Sequence, residues 1–407
     1  MTRCRICKSP IQNGWSFCPK CGEEVKTGSV FPVSKMNYLW EKEDGGGLIY
    51  KNFRAVRESG LTNIENNEQI RPNLGDFCHI NFYNLRKFSL LLYNPKVAYE
   101  LYEAYKLGGY YDAENFIRGS KRQNIVERLS RTNRFWNIFK DKKFLETAKN
   151  SYSKVGSGYV EDIDVHEKIG KITFHLRETF STPIKSPHSC CFENVADFAG
   201  TLESYSYRFW SGIESKCQSK GDEHCQFEMF ITKTAEKPKI DILDVVDITN
   251  ILDNIIRDLD KKVIYRRQLG DYIHISGEQS MNYILTSKSV GHEILSKHSG
   301  SIIGQKIVHN SELKTEEDAL EYLAKIFYDL KVGLISPEYK NGTIMVKMQE
   351  SVYSSGVNNI NTKLDTFITG IIEGALRQAT NQGWIVEEIK CIANGDPYCE
   401  FRCHTQR

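Results

Sequence analysis

The clearest pattern in the chain is an alternation that occurs twice. In GKITFHLRETF (170–180), Ile172, Phe174 and Leu176 are separated by single residues, and in GTIMVKMQESV (342–352) Ile344, Val346 and Met348 do the same. A period of two predicts a strand with one face on a core. Downstream of the second strand, Leu364, Phe367, Ile368, Ile371, Ile372, Ala375, Leu376 and Ala379 recur at steps of three and four. That is the apolar stripe of an amphipathic helix, and Gly383 ends it. Phe192, Val195, Ala196, Ala199 and Leu202 form a similar stripe after the first strand. Each helix leads into a polar stretch, ESKCQSKGDEHC (214–225) or EIKCIANGDPYC (388–399). The Gly-Asp pair in each predicts a hairpin with one cysteine on each arm.

The two halves align when the sequence is shifted by 174 positions. Cys217 then meets Cys391, Cys225 meets Cys399, Glu214 meets Glu388, Trp210 meets Trp384 and Gly200 meets Gly374. Matched flanks around a matched motif predict a duplicated domain. Upstream, NPKVAYELYEAYKLGG (94–109) and much of 120–154 have helical character, and EKEDGGGLIY (41–50) has that of a turn or loop. The polar segment ITKTAEKPKIDILD (231–244), with Pro238, predicts a linker. The expected organisation is a small N-terminal module (1–28), a first domain with a helix-rich start (30–232), a linker (233–247) and a second domain (248–407).

Composition narrows the function classes only a little. A chain of 407 residues with 40% hydrophobic and 11% aromatic residues can bury real cores in two or three domains. The formal net charge of +2 selects no partner class. No apolar run approaches a membrane-spanning helix, and MTRCRICKSP lacks a signal core, so a cytoplasmic protein is expected. The 12 cysteines are clustered, which in a reducing compartment points to metal binding or redox chemistry.

Two clusters carry the candidate chemistry. In CRICKSPIQNGWSFCPKC, Cys4-x2-Cys7 and Cys18-x2-Cys21 offer four thiolates from two turns, the donor set of a closed tetrahedral zinc site. The segment resembles the zinc ribbons. Residues 1–30 set five basic side chains (Arg3, Arg5, Lys8, Lys20, Lys26) against Glu23 and Glu24, compatible with nucleic acid without deciding for it. The Cys-x7-Cys hairpins admit three readings from the residues alone: a metal site, a redox dithiol, or small buried side chains.

The strand, the amphipathic helix and E-x-x-C-x7-C, closing on KCQSKGDEHCQFEM and KCIANGDPYCEFRC, resemble the 4-vinyl-reductase (4VR) domain. The likeness covers about 160–232 and 340–407. It implies an α+β fold: a small zinc ribbon, then two duplicated α/β-layer domains, each an antiparallel sheet packed with helices around a mostly apolar pocket for a small hydrophobic or aromatic molecule. It also implies a structural zinc held by Cys191 (or its neighbour Cys190), Glu214, Cys217 and Cys225. In the second copy Asp365 replaces the helix cysteine, so Asp365, Glu388, Cys391 and Cys399 form a harder, weaker donor set, with Cys403 as a replacement ligand or resolving thiol.

Weaker signals remain. The stretch 117–154 holds 11 Lys or Arg, with Arg128, Arg131 and Arg134 at three-residue steps and Phe135, Trp136, Phe139 and Phe144 between charges. It reads as a solvated helix face or a nucleic-acid surface. His166, His175 and His188 lie near the first cluster, and His188 is within reach of it. No phosphate loop, nucleophile elbow or HExxH occurs. The expected function is therefore a non-enzymatic, zinc-containing regulator that senses a small ligand, with a protein partner, nucleic acid or a second copy as its output. The alternatives are an accessory subunit of a tetrapyrrole-type reductase and a nucleic-acid-binding regulator.

Overall fold

The structure, a computed structural model, describes residues 2–3, 10–11, 69–119, 133–261, 263–288, 291–309, 311, 313–340, 342–358 and 360–406. The ribbon cysteines Cys4, Cys7, Cys18 and Cys21, the stretch 41–50, and Arg128 and Arg131 lie outside the described residues.

In chain order the elements are β1 (Thr2–Arg3), β2 (Pro10–Ile11), β3 (Phe77–His79), α1 (Ile80–Tyr93), α2 (Val97–Gly119), a 3-10 helix (Asn133–Lys140), α3 (Lys142–Lys154), β4 (Tyr159–His166), β5 (Lys171–Arg177), α4 (Phe192–Ser206), β6 (Phe209–Lys216) and β7 (Cys225–Thr232). There follow α5 (Val245–Asp258), β8 (Tyr272–His274), α6 (Ile275–Lys288), α7 (His292–His309), α8 (Glu316–Asp329), β9 (Leu334–Lys340), β10 (Thr343–Gln349), α9 (Thr366–Thr380), β11 (Trp384–Lys390) and β12 (Cys399–Thr405). Residues 233–243 form no helix or strand, and the Asp244 side chain caps α5 by accepting from Asp247 N. The result is a mixed α/β protein with antiparallel sheets packed against helices.

The chain divides into two compact units, and the division does not follow sequence order. Unit 1 gathers residues 1–51, 96–243 and 265–270; unit 2 gathers 52–95, 244–264 and 271–407.

Unit 1 is built on a four-stranded antiparallel sheet of order β4-β5-β7-β6. The expected alternation lies on β5, where Ile172, Phe174 and Leu176 are buried beside Phe227 and Met229 of β7. α4 packs on β6 and β7, and α2 packs on α4. The helix pair is close enough that a Cβ on Gly200 would sit 1.8 Å from Lys106 O, a contact only glycine allows.

Unit 2 contains a sheet of order β9-β10-β12-β11, with α9 packed against β11 and against α7. Ile344, Val346 and Met348 are buried, and so is the stripe from Leu364 to Ala379. Here a Cβ on Gly374 would sit 2.0 Å from Ser301 O. β3 pairs with β8, and α1 packs against α5 and α7.

Candidate metal centres

The hairpins that carry the cysteines are tighter than a simple Gly-Asp turn. β6 ends at Lys216, Cys217 precedes a 3-10 turn (Gln218–Lys220), and Gly221 reverses the chain at φ 96°. That left-handed conformation favours glycine. Asp222 Oδ2 accepts from Cys217 N at 2.8 Å and fixes the loop. Cys391, the 3-10 turn Ile392–Asn394, Gly395 (φ 95°) and Asp396 repeat the geometry, with Cys391 N donating to Asp396 at 2.9 Å. The register shifts between Glu214 and Lys216, and again between Glu388 and Lys390. Such a bulge re-aims a side chain, and in both hairpins the re-aimed region includes the glutamate.

The ligand atoms of Cys191, Glu214, Cys217 and Cys225 all lie within 4.8 Å of one another. Cys191 is the residue before the first turn of α4, and its N–H donates to Glu214 Oε2 at 2.9 Å. Its sulfur is 3.8 Å from both Cys217 Sγ and Cys225 Sγ. Cys190 is turned the other way, its thiol donating to His188 O at 3.5 Å. Around the sulfurs stand groups that spacing arguments on cysteine alone do not find: Thr179 Oγ1 lies 3.4 Å from Cys191 Sγ, Ser219 Oγ lies 2.8 Å from Cys217 Sγ, and Gln218 N donates to Cys225 Sγ at 3.4 Å.

Asp365, Glu388, Cys391 and Cys399 form the corresponding cluster in unit 2. Asp365 stands before the first turn of α9 as Cys191 does before α4. Its Oδ2 is 3.1 Å from Cys399 Sγ and 3.9 Å from Cys391 Sγ, and Ser351 Oγ donates to its Oδ1. Ser354 Oγ lies 3.1 Å from Cys399 Sγ. Cys403 is outside this group; it pairs with Ile344 and Val386 further along the sheet, and burial pushes its thiol up to about 12.

Both clusters crowd acidic groups into dry space. Burial, then the neighbouring sulfurs, holds the Cys191 thiol well above its ordinary range, while hydrogen bonds from Cys191 and Cys225 pull Cys217 down. Burial raises Glu214 well above the carboxylate range, followed by the charge of Cys217. Glu388 is raised by burial and then by Asp365 and Cys391, and Asp365 is itself raised by burial. Glu214 Oε1 and both side-chain oxygens of Glu388 are buried without a hydrogen bond. Sulfur faces them instead, from Cys217 and Cys391. A group of four potential anions with orphaned oxygens lacks one thing, a cation.

The histidines stay outside both groups. His175 reaches Asp164 at 3.0 Å and His224 at 3.3 Å, His166 ends β4, and His188 contributes its carbonyl to Ser219 Oγ. The eight described cysteines form no disulfide. Among the described residues, no helix is long and apolar enough to cross a membrane.

Known proteins share parts of this sequence and fold. An uncharacterized protein of Methanocaldococcus jannaschii is 26% identical over 136 residues, which is 33% of this chain and 78% of that protein. A solved vinyl-4-reductase family protein from Methanocaldococcus jannaschii aligns with 42% of this chain and 99% of its own, at 20% identity and a TM-score of 0.29. The phenol-responsive sensory domain of the transcription activator PoxR, solved with phenol, aligns with 37% of this chain and 88% of its own, at 12% identity and a TM-score of 0.30. Residues 344–405, which include most of β10, α9 and the Cys391–Cys399 hairpin, match the vinyl-4-reductase (4VR) domain family; the C-terminal region of the chain is a 4VR domain, a small-molecule-binding domain type.

Proposed function

We propose that the chain is a tandem 4VR regulator: an N-terminal zinc ribbon, then two 4VR-like domains (30–232 and 248–407), which binds a small hydrophobic or aromatic molecule and carries out no catalysis of its own. The observation that carries the reading is the 4VR match over 344–405. Unit 1 supports the tandem arrangement through its strand order, its glycine-mediated helix contact and its cysteine hairpin, each of which has a counterpart in unit 2.

Zinc fits the donor sets. A tetrahedral ion with sulfur arms of about 2.3 Å has ligand–ligand edges of about 3.8 Å, and the Cys191–Cys217 and Cys191–Cys225 separations are both 3.8 Å. Disulfide sulfurs approach to about 2.05 Å, so the spacing favours an ion over a bond. Cys191, Glu214, Cys217 and Cys225 would hold one zinc, and Cys4, Cys7, Cys18 and Cys21 another. Asp365, Glu388, Cys391 and Cys399 would hold a third more weakly, because a carboxylate stands where the first set has its third thiolate. When bound, the ion supplies a cross-link rather than chemistry on a substrate. In unit 1 it ties the first turn of α4 to the β6–β7 hairpin, and Thr179, Ser219 and Gln218 N hold the sulfurs in place.

In this reading the protein is cytoplasmic, and ligand binding biases the arrangement of the domains. The signal leaves through the ribbon, the basic stretch 117–154 or a partner protein. The test is metal analysis with native mass spectrometry of the full chain. Two to three zinc equivalents and a co-purifying small organic molecule are expected, and Cys18→Ser should lose one equivalent. A metal-free, ligand-free protein would overturn the reading.

A further inference from the structure

Unit 2 buries a group of polar side chains that has no counterpart in unit 1. Arg86 on α1 donates to Glu278 at 3.0 Å and to Asn282 Oδ1 at 2.9 Å, both on α6, with side chains 4% and 2% exposed in the ion pair. Its guanidinium lies 5.2 Å over the Tyr353 ring. His292 and Ser296 are one turn apart on α7, and Ser299 on the same face donates to Ser89 O of α1 at 3.2 Å, so this face looks onto α1. His292 is 1% exposed, Ser296 2% and Tyr353 0%. Both ring nitrogens of His292, Ser296 Oγ and Tyr353 OH are buried without a hydrogen bond.

Burying such groups unpaired is costly, and the fold itself does not require them. A Cβ on Gly109 would meet Asp197 O at 2.2 Å, and one on Gly304 would meet Ile371 O at 2.0 Å, each acceptor being the sixth residue of its helix. The two glycines therefore occupy matching places. Twelve residues before Gly304 stands His292, and twelve before Gly109 stands buried Val97; eight before, the pair is Ser296 and buried Leu101. Tyr353, three residues beyond Glu350, corresponds to Ser181, three beyond Glu178. One helix pair uses aliphatic side chains where the other places unpaired polar ones.

We propose that His292, Ser296 and Tyr353, beside the Arg86–Glu278 pair, form the polar end of a buried site in unit 2 for a small neutral molecule carrying a hydroxyl or carboxamide on a flat apolar body. This rests on the small-molecule reading above and locates it in one unit. Neutrality follows from the charges: Glu278 already balances Arg86. Burial, and then the Arg86 charge, pushes His292 down to about 3, so its imidazole is neutral and offers one N–H and one lone pair. A hydroxyl or carboxamide both donates and accepts, and so complements it. The flat body follows from the rings: Phe82 lies 5.8 Å from Tyr353 and 6.0 Å from Phe367, centroid to centroid.

The test uses the full-length protein with benzyl alcohol and benzamide as probes, and toluene and benzoate as controls. Binding is followed by calorimetry and by nitrogen NMR of the histidine side chains. Benzyl alcohol or benzamide should bind at least tenfold more tightly than either control and shift the His292 resonances. His292→Leu should weaken binding at least tenfold and raise the melting temperature of the probe-free protein, while Ser296→Ala should weaken binding several-fold. Equal binding to wild type and His292→Leu would overturn the site and leave the small-molecule reading standing, as would binding with the His292 resonances unmoved, the mark of a cluster that holds only water. If no probe binds, the proposed ligand class falls, and the broader reading is judged separately by what co-purifies with the native protein.

Discussion

The Arg71 guanidinium donates to the main-chain carbonyl of Glu350, 279 residues away in sequence, at 3.2 Å. It also donates to Lys331 O, Gly75 O and Phe77 O at 2.7–2.8 Å, and is fully buried. The Glu350 side chain in turn accepts from Asn73 N at 3.0 Å and Leu74 N at 2.8 Å. The same device closes unit 1, where Arg266 donates to Gly156 O at 2.6 Å and to Glu178 O at 3.3 Å, and Glu178 accepts from Arg267, Gln268 and Leu269 N. A guanidinium serves main-chain carbonyls, and a carboxylate serves main-chain N–H groups.

Removing that guanidinium strands several buried acceptors. Arg71→Met is expected to cost about 3 kcal/mol or more, since each unsatisfied buried group costs about 1–3 kcal/mol. Chemical denaturation monitored by hydrogen exchange should show the loss in unit 2. An unchanged midpoint would mean that the carbonyls find other donors.

The helix contacts are equally specific. Gly374→Ala places a Cβ 2.0 Å from Ser301 O, a main-chain atom that can move only with its helix. A loss of at least about 3 kcal/mol is expected, the upper range for overpacking. Gly383→Ala, whose nearest atoms belong to the Gln406 side chain at 3.3 Å, is the control and should cost under about 1 kcal/mol. Comparable melting temperatures for the two variants would refute the contact.

Chelation should act on the two centres in order. The Asp365 cluster has one thiolate fewer than the Cys191 cluster, so a mild chelator is expected to strip it first. Cys391 and Cys399 should then react with a thiol reagent before Cys217 and Cys225. Mass spectrometry of modified cysteines over time decides it, and the reverse order would show the assignment to be backwards.

Without metal, stability should fall as pH rises. Glu388 has its folded pKa raised well above the ordinary 4.5. A carboxyl shifted upward is neutral in the fold, so its stabilising effect is complete below about 4.5, the unfolded value, and is lost as pH climbs toward the folded one. Chelated wild type should therefore be less stable at pH 8 than at pH 4.5. Glu388→Gln should flatten that slope, as read from denaturation midpoints at both pH values. A chelated wild type that gains stability at pH 8 would contradict the burial of this group.

Local pattern was enough to expose much of the fold and of the candidate centres. Period two marked β5 and β10, the apolar stripes marked α4 and α9, and Cys-x7-Cys with its glutamate marked both hairpins, because each is a rule between residues close in sequence. The helix thiol was ambiguous between Cys190 and Cys191 until the first turn of α4 turned one sulfur inward and the other away. Thr179, Ser219, Ser351 and Ser354 gave no signal, since a hydroxyl near a sulfur is a fact of packing alone. The grouping of residues 52–95 with unit 2 was equally invisible. It depends on Arg71 finding carbonyls at Lys331 and Glu350, and on Arg86 finding Glu278, partners some 190 to 280 residues away that no local period encodes. Sequence determined which segments become strands, helices and hairpins; the tertiary structure decided which of them share a core, because a buried charge must be met by whatever the fold brings beside it.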